Sequence, residues 1–277
     1  MMTNISVIIP VYNAQNTIEK TIHSVLKNTE KDIELVLVID GLTDNSLNIC
    51  EEMRKRDNRI KIIVQENKGA LSARINGIKN ASGKYIMFLD ADDEYIDNIF
   101  KRMNEIINKY SPDLIKFRYK KETYEQYPYF TEDELFINKE DFAEKVYPMF
   151  FQGYQLNAIW NSCIKKSCLN NISIPTKRLK YAEDLMMNLN VFSNINSVVF
   201  INDIYYLYST NTNSITQSRK SSKKWLEILQ NAVDVYSSLF YYLKIWDMYT
   251  DTNIKLVQER LEKEVNEIIK ILNTMKN

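Results

Sequence analysis

Acidic side chains gather on a few short stretches of this chain. Asp90, Asp92 and Asp93 follow directly on the apolar run Ile86–Leu89. Such a run reads as a buried strand covered on both faces. Packed carboxylates repel one another and lose hydration, so three of them at a strand end call for compensating charge. Oxygen ligands suit a hard divalent cation such as Mg²⁺ or Mn²⁺, which usually brings a substrate phosphate with it. The alternative for the tetrapeptide alone is an acidic turn capping the next helix. Asp40 and Asp44 follow a second apolar run, and Glu183-Asp184 precede Leu185, Leu189 and Phe192. His23 is the single histidine, which excludes His-based triads and leaves acid–base chemistry to carboxylates.

The elements that must position these acids alternate. Ile5–Val11 reads as a buried strand closed by Pro10, followed by polar turn residues and a helix capped by Asn16 with Ile18, Ile22, Val25 and Leu26 on one face. Ile33–Ile39 is a second strand, and Thr43–Ser46 starts a helix through Leu47, Cys50 and Met53. Arg59–Val64, the helix opened by Lys68-Gly69, the strand Tyr85–Leu89, a helix from about Asp97 to Tyr110 and the strand Leu114–Tyr119 complete the series. Strand–helix alternation over about 120 residues specifies an α/β fold with a mostly parallel central sheet flanked by helices. Ligands of such sheets lie at the carboxyl ends of the strands. Tyr12 and Asn13, Asp40 and Asp44, and Asp90, Asp92 and Asp93 all fall there. There is no Gly-x-Gly-x-x-Gly and no Gly-x-x-x-x-Gly-Lys-Ser/Thr after the first strand, which argues against a dinucleotide fold and a phosphate-loop NTPase.

The 277 residues suffice for one large α/β domain or one domain with an appendage. Thirty-six basic residues balance 36 acidic ones, so nucleic acid is not an expected partner. Cys50, Cys163 and Cys168 lack metal-ligand spacing and point to a reduced, cytoplasmic protein. No apolar segment precedes the first strand as a signal peptide would, and no stretch reaches bilayer-spanning length.

Four segments occur in order: Ser6-Val-Ile-Ile-Pro-Val-Tyr-Asn13, Val38-Ile-Asp-Gly-Leu-Thr-Asp-Asn-Ser46, Glu66-Asn-Lys-Gly-Ala-Leu-Ser-Ala-Arg74 with Asn76-Gly77, and Phe88-Leu-Asp-Ala-Asp-Asp93. Together they resemble glycosyltransferase family 2, inverting nucleotide-sugar transferases of the GT-A fold. The resemblance implies that Pro10, Val11 and Tyr12 border the base, with Tyr12 stacking on a uracil ring. It implies that Asp40 accepts a hydrogen bond from the base and that Arg74 sits near the diphosphate. Asp90 and Ala91 would lie by the nucleotide, Asp92 would ligate Mn²⁺ or Mg²⁺ with Asp90 beside it, and Asp93 would shape the turn. For Tyr12 and Arg74 the plain alternatives are an aromatic at a strand end and a charge on a helix.

The second half is less regular. Tyr124–Phe130 is aromatic enough either to line an acceptor groove or to pack on the core. Asp141–Phe151 is expected to be helical, with Phe142, Val146 and Phe150 on one face. Trp160-Asn161 resembles the family's Trp-Asn-Lys segment, with Ser162 in place of the Lys. Ala182–Phe192 resembles its Glu-Asp segment, which implies Asp184 as catalytic base, with Glu183 the runner-up. Either acid would also suit a helix N-terminus on electrostatic grounds. Ile204–Thr216 resembles a Tyr-Tyr-Arg segment in which Ser209 replaces the basic residue. Beyond Ser221 the resemblance ends. Trp225, Leu229, Val233, Leu239 and Tyr242, then Ile254, Val257, Leu261, Val265, Ile268, Leu272 and Met275, mark amphipathic helices.

The expectation is a nucleotide-sugar-binding part at 1–119, an acceptor-binding part at 120–220 and a C-terminal helical extension at 221–277. The function expected is an inverting, metal-dependent transfer of a hexosyl or N-acetylhexosaminyl group. It would run from a UDP-sugar to a glycan, lipid-linked or protein-linked acceptor in surface polysaccharide or glycoconjugate synthesis. The terminal helices are expected to pack on the catalytic domain; the alternatives are a homo-oligomer contact through them or a dock to a membrane-associated partner at the inner membrane face. Trp246 and its neighbours could touch a membrane surface, although Lys and Arg are not concentrated there. The rivals are a nucleotidyltransferase, which would need a Gly- and Lys-rich loop that Val11–Asn16 lacks, and a non-catalytic nucleotide-sugar-binding protein.

Overall fold

A computed structural model describes residues 4–28, 32–170, 179, 181–209 and 222–274. The chain divides into two compact units. One comprises 1–137, 160–171 and 195–211; the other comprises 138–159, 172–194 and 212–277.

The first unit carries one ten-stranded sheet. Its opening strands are β1 (Ile5–Val11), β2 (Ile33–Asp40), β3 (Ile60–Gln65) and β4 (Tyr85–Phe88), paired in the parallel order β3-β2-β1-β4. Helices α1 (Ile18–Leu26), α2 (Ser46–Arg56) and α3 (Ala70–Asn80) are the crossovers. β1 and β4 are mostly apolar because both of their faces are covered; Ile5, Val7, Ile8, Ile86, Met87 and Phe88 are wholly buried. Thr17, not Asn16, occupies the N-cap of α1; Asn16 falls in the turn before it. The short β5 (Glu94–Tyr95), helix α4 (Ile99–Tyr110) and β6 (Leu114–Lys121) follow.

Beyond β4 the sheet departs from simple alternation. β6 does not pair with β4, because β9 (Ser162–Lys165) lies between them, antiparallel to both. β10 (Ser197–Leu207) then pairs parallel with β6 and antiparallel with β5. The small strands β7 (Tyr124–Glu125) and β8 (Glu134–Asn138) pair with β6 and β10. Four-residue β9 has no alternation of its own and shows its place only through its partners. The result is a mixed α/β sheet with flanking helices, parallel through β3-β2-β1-β4 and interrupted by antiparallel strands beyond β4, rather than the mostly parallel sheet expected.

The second unit is helical. The expected helix over Asp141–Phe151 is broken into a 3-10 turn at Lys139–Asp141, α5 (Phe142–Lys145) and α6 (Pro148–Gln152). Pro148 has no N–H to continue a helix and instead starts the next one. Phe142, Val146 and Phe150 are buried all the same. α7 (Glu183–Asn194) precedes the long α8 (Ser222–Ile245) and α9 (Asp251–Thr274), which pack together. On α9 the buried positions are Val257, Arg260, Glu264 and Ile268, whereas Leu261 and Val265 are half-buried. The apolar pattern therefore placed the buried face about one position away. Met275 and residues 210–216 lie outside the described residues. Among the described residues, no helix is long and apolar enough to cross a membrane. Cys50, Cys163 and Cys168 are free, and burial pushes the Cys50 thiol up to about 12.

Gly77 sets how closely α3 approaches β1. A Cβ there would lie 2.3 Å from Cγ2 of Ile8, itself fixed in the core. Gly77→Ala gains helix propensity but overpacks this contact, at a net cost of about 1–3 kcal/mol. The variant is expected to melt several degrees lower by circular dichroism, and Ile8→Val is expected to recover part of the loss in a G77A/I8V double variant.

Candidate functional site

The parallel register brings the expected residues to one edge of the sheet. Val11 pairs with Ile39, and Ile8 with Phe88, so the chain leaves β1 at Tyr12, β2 at Asp40 and β4 at Leu89-Asp90 side by side. Pairing of β1 with β4 ends at Ile8, before Pro10, which has no N–H to offer. Tyr12 is exposed, Val11 is buried and Pro10 is half-buried.

The turns after these strands are tied by short polar contacts. Asp44 accepts hydrogen bonds from the backbone N–H of Gln15 and of Ser46, both at 3.0 Å. The N–H of Ala14 donates to Ser46 Oγ at 3.0 Å, and that of Asn45 donates to Gln15 Oε1 at 3.1 Å. Asn13 takes a left-handed conformation, φ +52°, and accepts from the Thr43 hydroxyl. Partial burial pushes the Asp44 carboxyl up, but its bonds to Ser46 and Gln15 outweigh this and hold it below the usual range. The loop after β1 is thus clamped to the loop after β2.

Asp40 is 3% exposed and accepts three bonds at 2.8 Å: from Gln65 Nε2, from the N–H of Lys68 and from the N–H of Gly69. It therefore fixes the entry to α3, where Gly69 has φ +90°, a conformation side chains disfavour. A carboxylate accepts about four bonds, so one acceptor position remains on Asp40. Arg74, on α3, is 2% exposed and donates to Asp90 Oδ1 at 2.9 Å.

The three acids after β4 occupy distinct surroundings. Asp93 is buried; it accepts the Tyr206 hydroxyl at 2.6 Å and the Ser209 N–H at 2.7 Å. Burial, with Asp90 nearby, pushes its carboxyl up to about 8. Asp90 and Asp92 are half-buried, as is Ala91, whose carbonyl accepts the Thr21 hydroxyl at 3.0 Å. Tyr206, which holds Asp93, is stacked on Trp160 at 4.2 Å between ring centroids. Ser209 thus serves this turn through its backbone.

Among the described residues, no group of three or more His, Cys, Asp or Glu is arranged to hold a metal ion. The donor chemistry at the turn nonetheless fits a hard divalent cation. Asp90 and Asp92 place carboxylates at a partly solvated edge, Asp90 with one oxygen on Arg74, while Asp93 is buried with both oxygens bonded within the turn.

Some contributors were not legible beforehand. Lys116, on β6, is wholly buried; its ammonium donates to Asn161 Oδ1 at 2.5 Å and to Ser162 Oγ at 2.9 Å. The two strands pair Lys116 directly with Ser162, so a neighbouring strand brings an ammonium to the position where Ser162 replaces the expected Lys. A lysine inside the apolar stretch Leu114–Phe117 was the available signal. The aromatic segment divides: Tyr127 is 74% exposed and Tyr124 is also exposed, whereas Tyr129 is buried and donates to the Phe117 carbonyl at 3.1 Å. A cleft of about 880 Å³ lined in part by Arg102, Arg118, Phe130 and Asp203 shares no residue with the strand-end cluster.

Glu183 and Asp184 belong to the second unit and form the first turn of α7, both half-buried. Ala182, at φ +56°, precedes them, and its carbonyl accepts the Met186 N–H at 3.2 Å.

A mixed sheet that is parallel through β3-β2-β1-β4, with acids at the ends of β2 and β4 and an antiparallel strand beside β4, defines a GT-A type α/β fold. Solved structures agree: the Staphylococcus aureus TarS fragment 1–349, determined with UDP-GlcNAc, superposes with a TM-score of 0.71 at 21% identity, over 88% of this chain and 70% of that one. Residues 6–166 match the model of glycosyl transferase family 2, and the chain belongs to that family. It is 32% identical over 224 residues to the uncharacterized glycosyltransferase EpsJ of Bacillus subtilis, covering 78% of this chain and 64% of EpsJ. To glycosyltransferase GlyA of Streptococcus pneumoniae it is 30% identical over 247 residues, 83% of this chain but 33% of GlyA.

Asp40→Asn keeps the shape of this side chain but turns a donor toward one of its three donating partners. It is expected to cost about 1–3 kcal/mol, read as a lower urea midpoint with an unchanged m-value.

Proposed function

We propose that this chain is an inverting glycosyltransferase. It transfers a hexosyl or N-acetylhexosaminyl group from a UDP-linked donor to a hydroxyl of a glycan, lipid-linked or protein-linked acceptor. The observation that carries this reading is the grouping of Tyr12, Asp40, Arg74, Asp90 and Asp92 around three adjacent strand ends, inside the segment that matches the family. Structures of TarS with UDP-GlcNAc and with UDP support the choice of nucleotide. A role in surface polysaccharide or glycoconjugate synthesis is supported by similarity to a putative teichuronic acid biosynthesis glycosyltransferase, TuaG of Bacillus subtilis, 41% identical over 99 residues.

In this reading Pro10, Val11 and Tyr12 border the base, with Tyr12 stacking on the uracil ring, and the remaining acceptor position of Asp40 takes a base N–H. Asp92 and Asp90 hold Mn²⁺ or Mg²⁺, which supplies positive charge against the leaving diphosphate. Arg74 holds Asp90 in place from the α3 side and adds its own positive charge near the phosphates. Asp184 takes the proton of the acceptor hydroxyl as its oxygen attacks the anomeric carbon from the face opposite UDP, with Glu183 as the alternative base. The exposed rings of Tyr124 and Tyr127 suit stacking against an acceptor sugar. Residues 1–119 serve the donor, 120–220 the acceptor, and 221–277 form the helical extension. The setting is the cytoplasm, at the inner membrane face where the acceptor is lipid-linked, and the terminal helices are the place for any contact between copies.

Two substitutions test the assignments. Asp92→Asn is expected to weaken UDP binding in Mn²⁺ at least tenfold by calorimetry while leaving metal-free binding little changed; equal affinity with and without Mn²⁺ in the wild type removes the metal assignment. Asp184→Asn is expected to lower UDP release from the accepted UDP-sugar by 100-fold or more with the UDP Kd within twofold; near wild-type release sinks the base assignment. Thermal shifts with UDP-glucose, UDP-galactose, UDP-GlcNAc and UDP-GalNAc in Mn²⁺ select the donor.

A further inference from the structure

A long amphipathic helix normally buries only apolar side chains, yet α9 buries Arg260 and Glu264, at 6% and 4% exposure. Burying a charged side chain is a poor source of stability, because desolvation offsets much of what its neighbours return, whereas its hydrogen bonds are directional. Where these bonds go is therefore informative. Glu264 accepts the hydroxyl of Tyr181 through Oε1 and that of Tyr154 through Oε2, the latter at 3.3 Å. Arg260, one turn away, donates to Asn157 Oδ1 at 2.6 Å, and its guanidinium lies 5.0 Å from the Tyr154 ring centroid and 5.2 Å from that of Tyr236.

Both sets of contacts lead to α7 through an intermediate: Tyr181 just before it, and the 154–158 loop. Tyr181 stands two residues before Glu183 and three before Asp184. Between them Ala182 is held at φ +56°, which costs an alanine about 1–2 kcal/mol and persists only if its neighbours impose it. The Tyr181–Glu264 bond anchors the chain on one side of that residue, and the first α7 bond, Met186 N–H to the Ala182 carbonyl, anchors it on the other. The second path runs through the loop before β9. Asn188, wholly buried on α7, donates to the carbonyls of Leu156 at 2.7 Å, Asn157 at 3.2 Å and Ala158 at 2.8 Å. Asn157 is the residue that Arg260 grips. α7 is thus tied to α9 at its start and at its middle, through two side chains one turn apart.

We propose that Arg260 and Glu264 are positioning residues that set the direction of the carboxylate opening α7, and that the C-terminal helix α9 is therefore part of the catalytic apparatus. The inference rests on the reading that Asp184 is the base. Neither residue touches reacting atoms; both act through Tyr181 and the 154–158 loop. A helix free to fray at its first turn would spread Asp184 over several directions, and misplacement on the order of 1 Å costs a catalytic group about 100-fold.

The test uses the full chain with Tyr181→Phe, which removes one hydroxyl and no charge, Glu264→Gln, and the double variant. One readout needs no substrate: hydrogen–deuterium exchange of the amides of 182–188, expected at least tenfold faster in each variant. The other is UDP release from UDP-glucose, UDP-galactose, UDP-GlcNAc and UDP-GalNAc in Mn²⁺. Its kcat is expected to fall about 10- to 100-fold, with donor KM and the UDP Kd within twofold, and the double variant no worse than the more damaged single one. Unchanged exchange, or faster exchange with kcat within twofold of wild type, overturns the proposal. So does a rise in donor KM matching the fall in kcat, which marks general damage to the fold. Asp184→Asn run in parallel separates the two levels. If it retains release, the base assignment fails and the proposal with it; if it is inactive, the Tyr181 and Glu264 variants decide positioning alone.

Discussion

Three carboxylates directly after a fully buried strand cannot share one environment, and the edge of the sheet beyond β4 is built around separating them. Asp93 is drawn inward, where Tyr206 and the Ser209 N–H take both of its oxygens and burial raises its pKa. Asp90 is turned toward Arg74, whose guanidinium is buried beneath it. Asp92 lies between them in sequence, half-buried at the edge. The separation needs β10 to deliver Tyr206 and α3 to deliver Arg74, so elements more than a hundred residues apart are committed to one turn. Trp160, stacked on Tyr206, extends that commitment to the segment before β9.

Asp40 performs a similar service at the neighbouring strand end. Its three acceptor contacts hold the backbone of Lys68 and Gly69, and through them the start of the helix that carries Arg74. A carboxylate held by three donors has its orientation fixed by the fold and not by anything it binds. Close packing completes the arrangement: Gly77 lets α3 lie against Ile8, which places Arg74 within reach of Asp90.

In the helical unit the logic is inverted. Buried polar groups there serve neither sheet nor strand end. Arg260, Glu264, Asn188 and Tyr181 connect helix to loop with directional bonds, where apolar contacts would leave rotation and register freer. Trp246 adds a stacked contact on Tyr147 and a hydrogen bond to Ser193, so its ring is held within the unit.

Local order was legible from the residues alone. The strands β1 to β4, the helices between them, and the placement of Tyr12, Asp40 and Asp90 at strand ends follow from hydrophobic period and turn chemistry, which act over a few neighbouring residues. The ordered motifs carried the family. What the sequence could not decide was everything set by distant partners. β9 is four residues long and is a strand only because β4 and β6 flank it. Lys116 reads as an interruption until Ser162 and Asn161 are placed beside it. The buried face of α9 was read from its apolar residues and missed Arg260 and Glu264, because a charge is counted as exposed until its partners are known. Hydrophobic period reports which side of an element avoids water. Which charges are buried, and which of three adjacent acids faces outward, depends on contacts between residues tens to hundreds of positions apart, and only the tertiary structure brings those together.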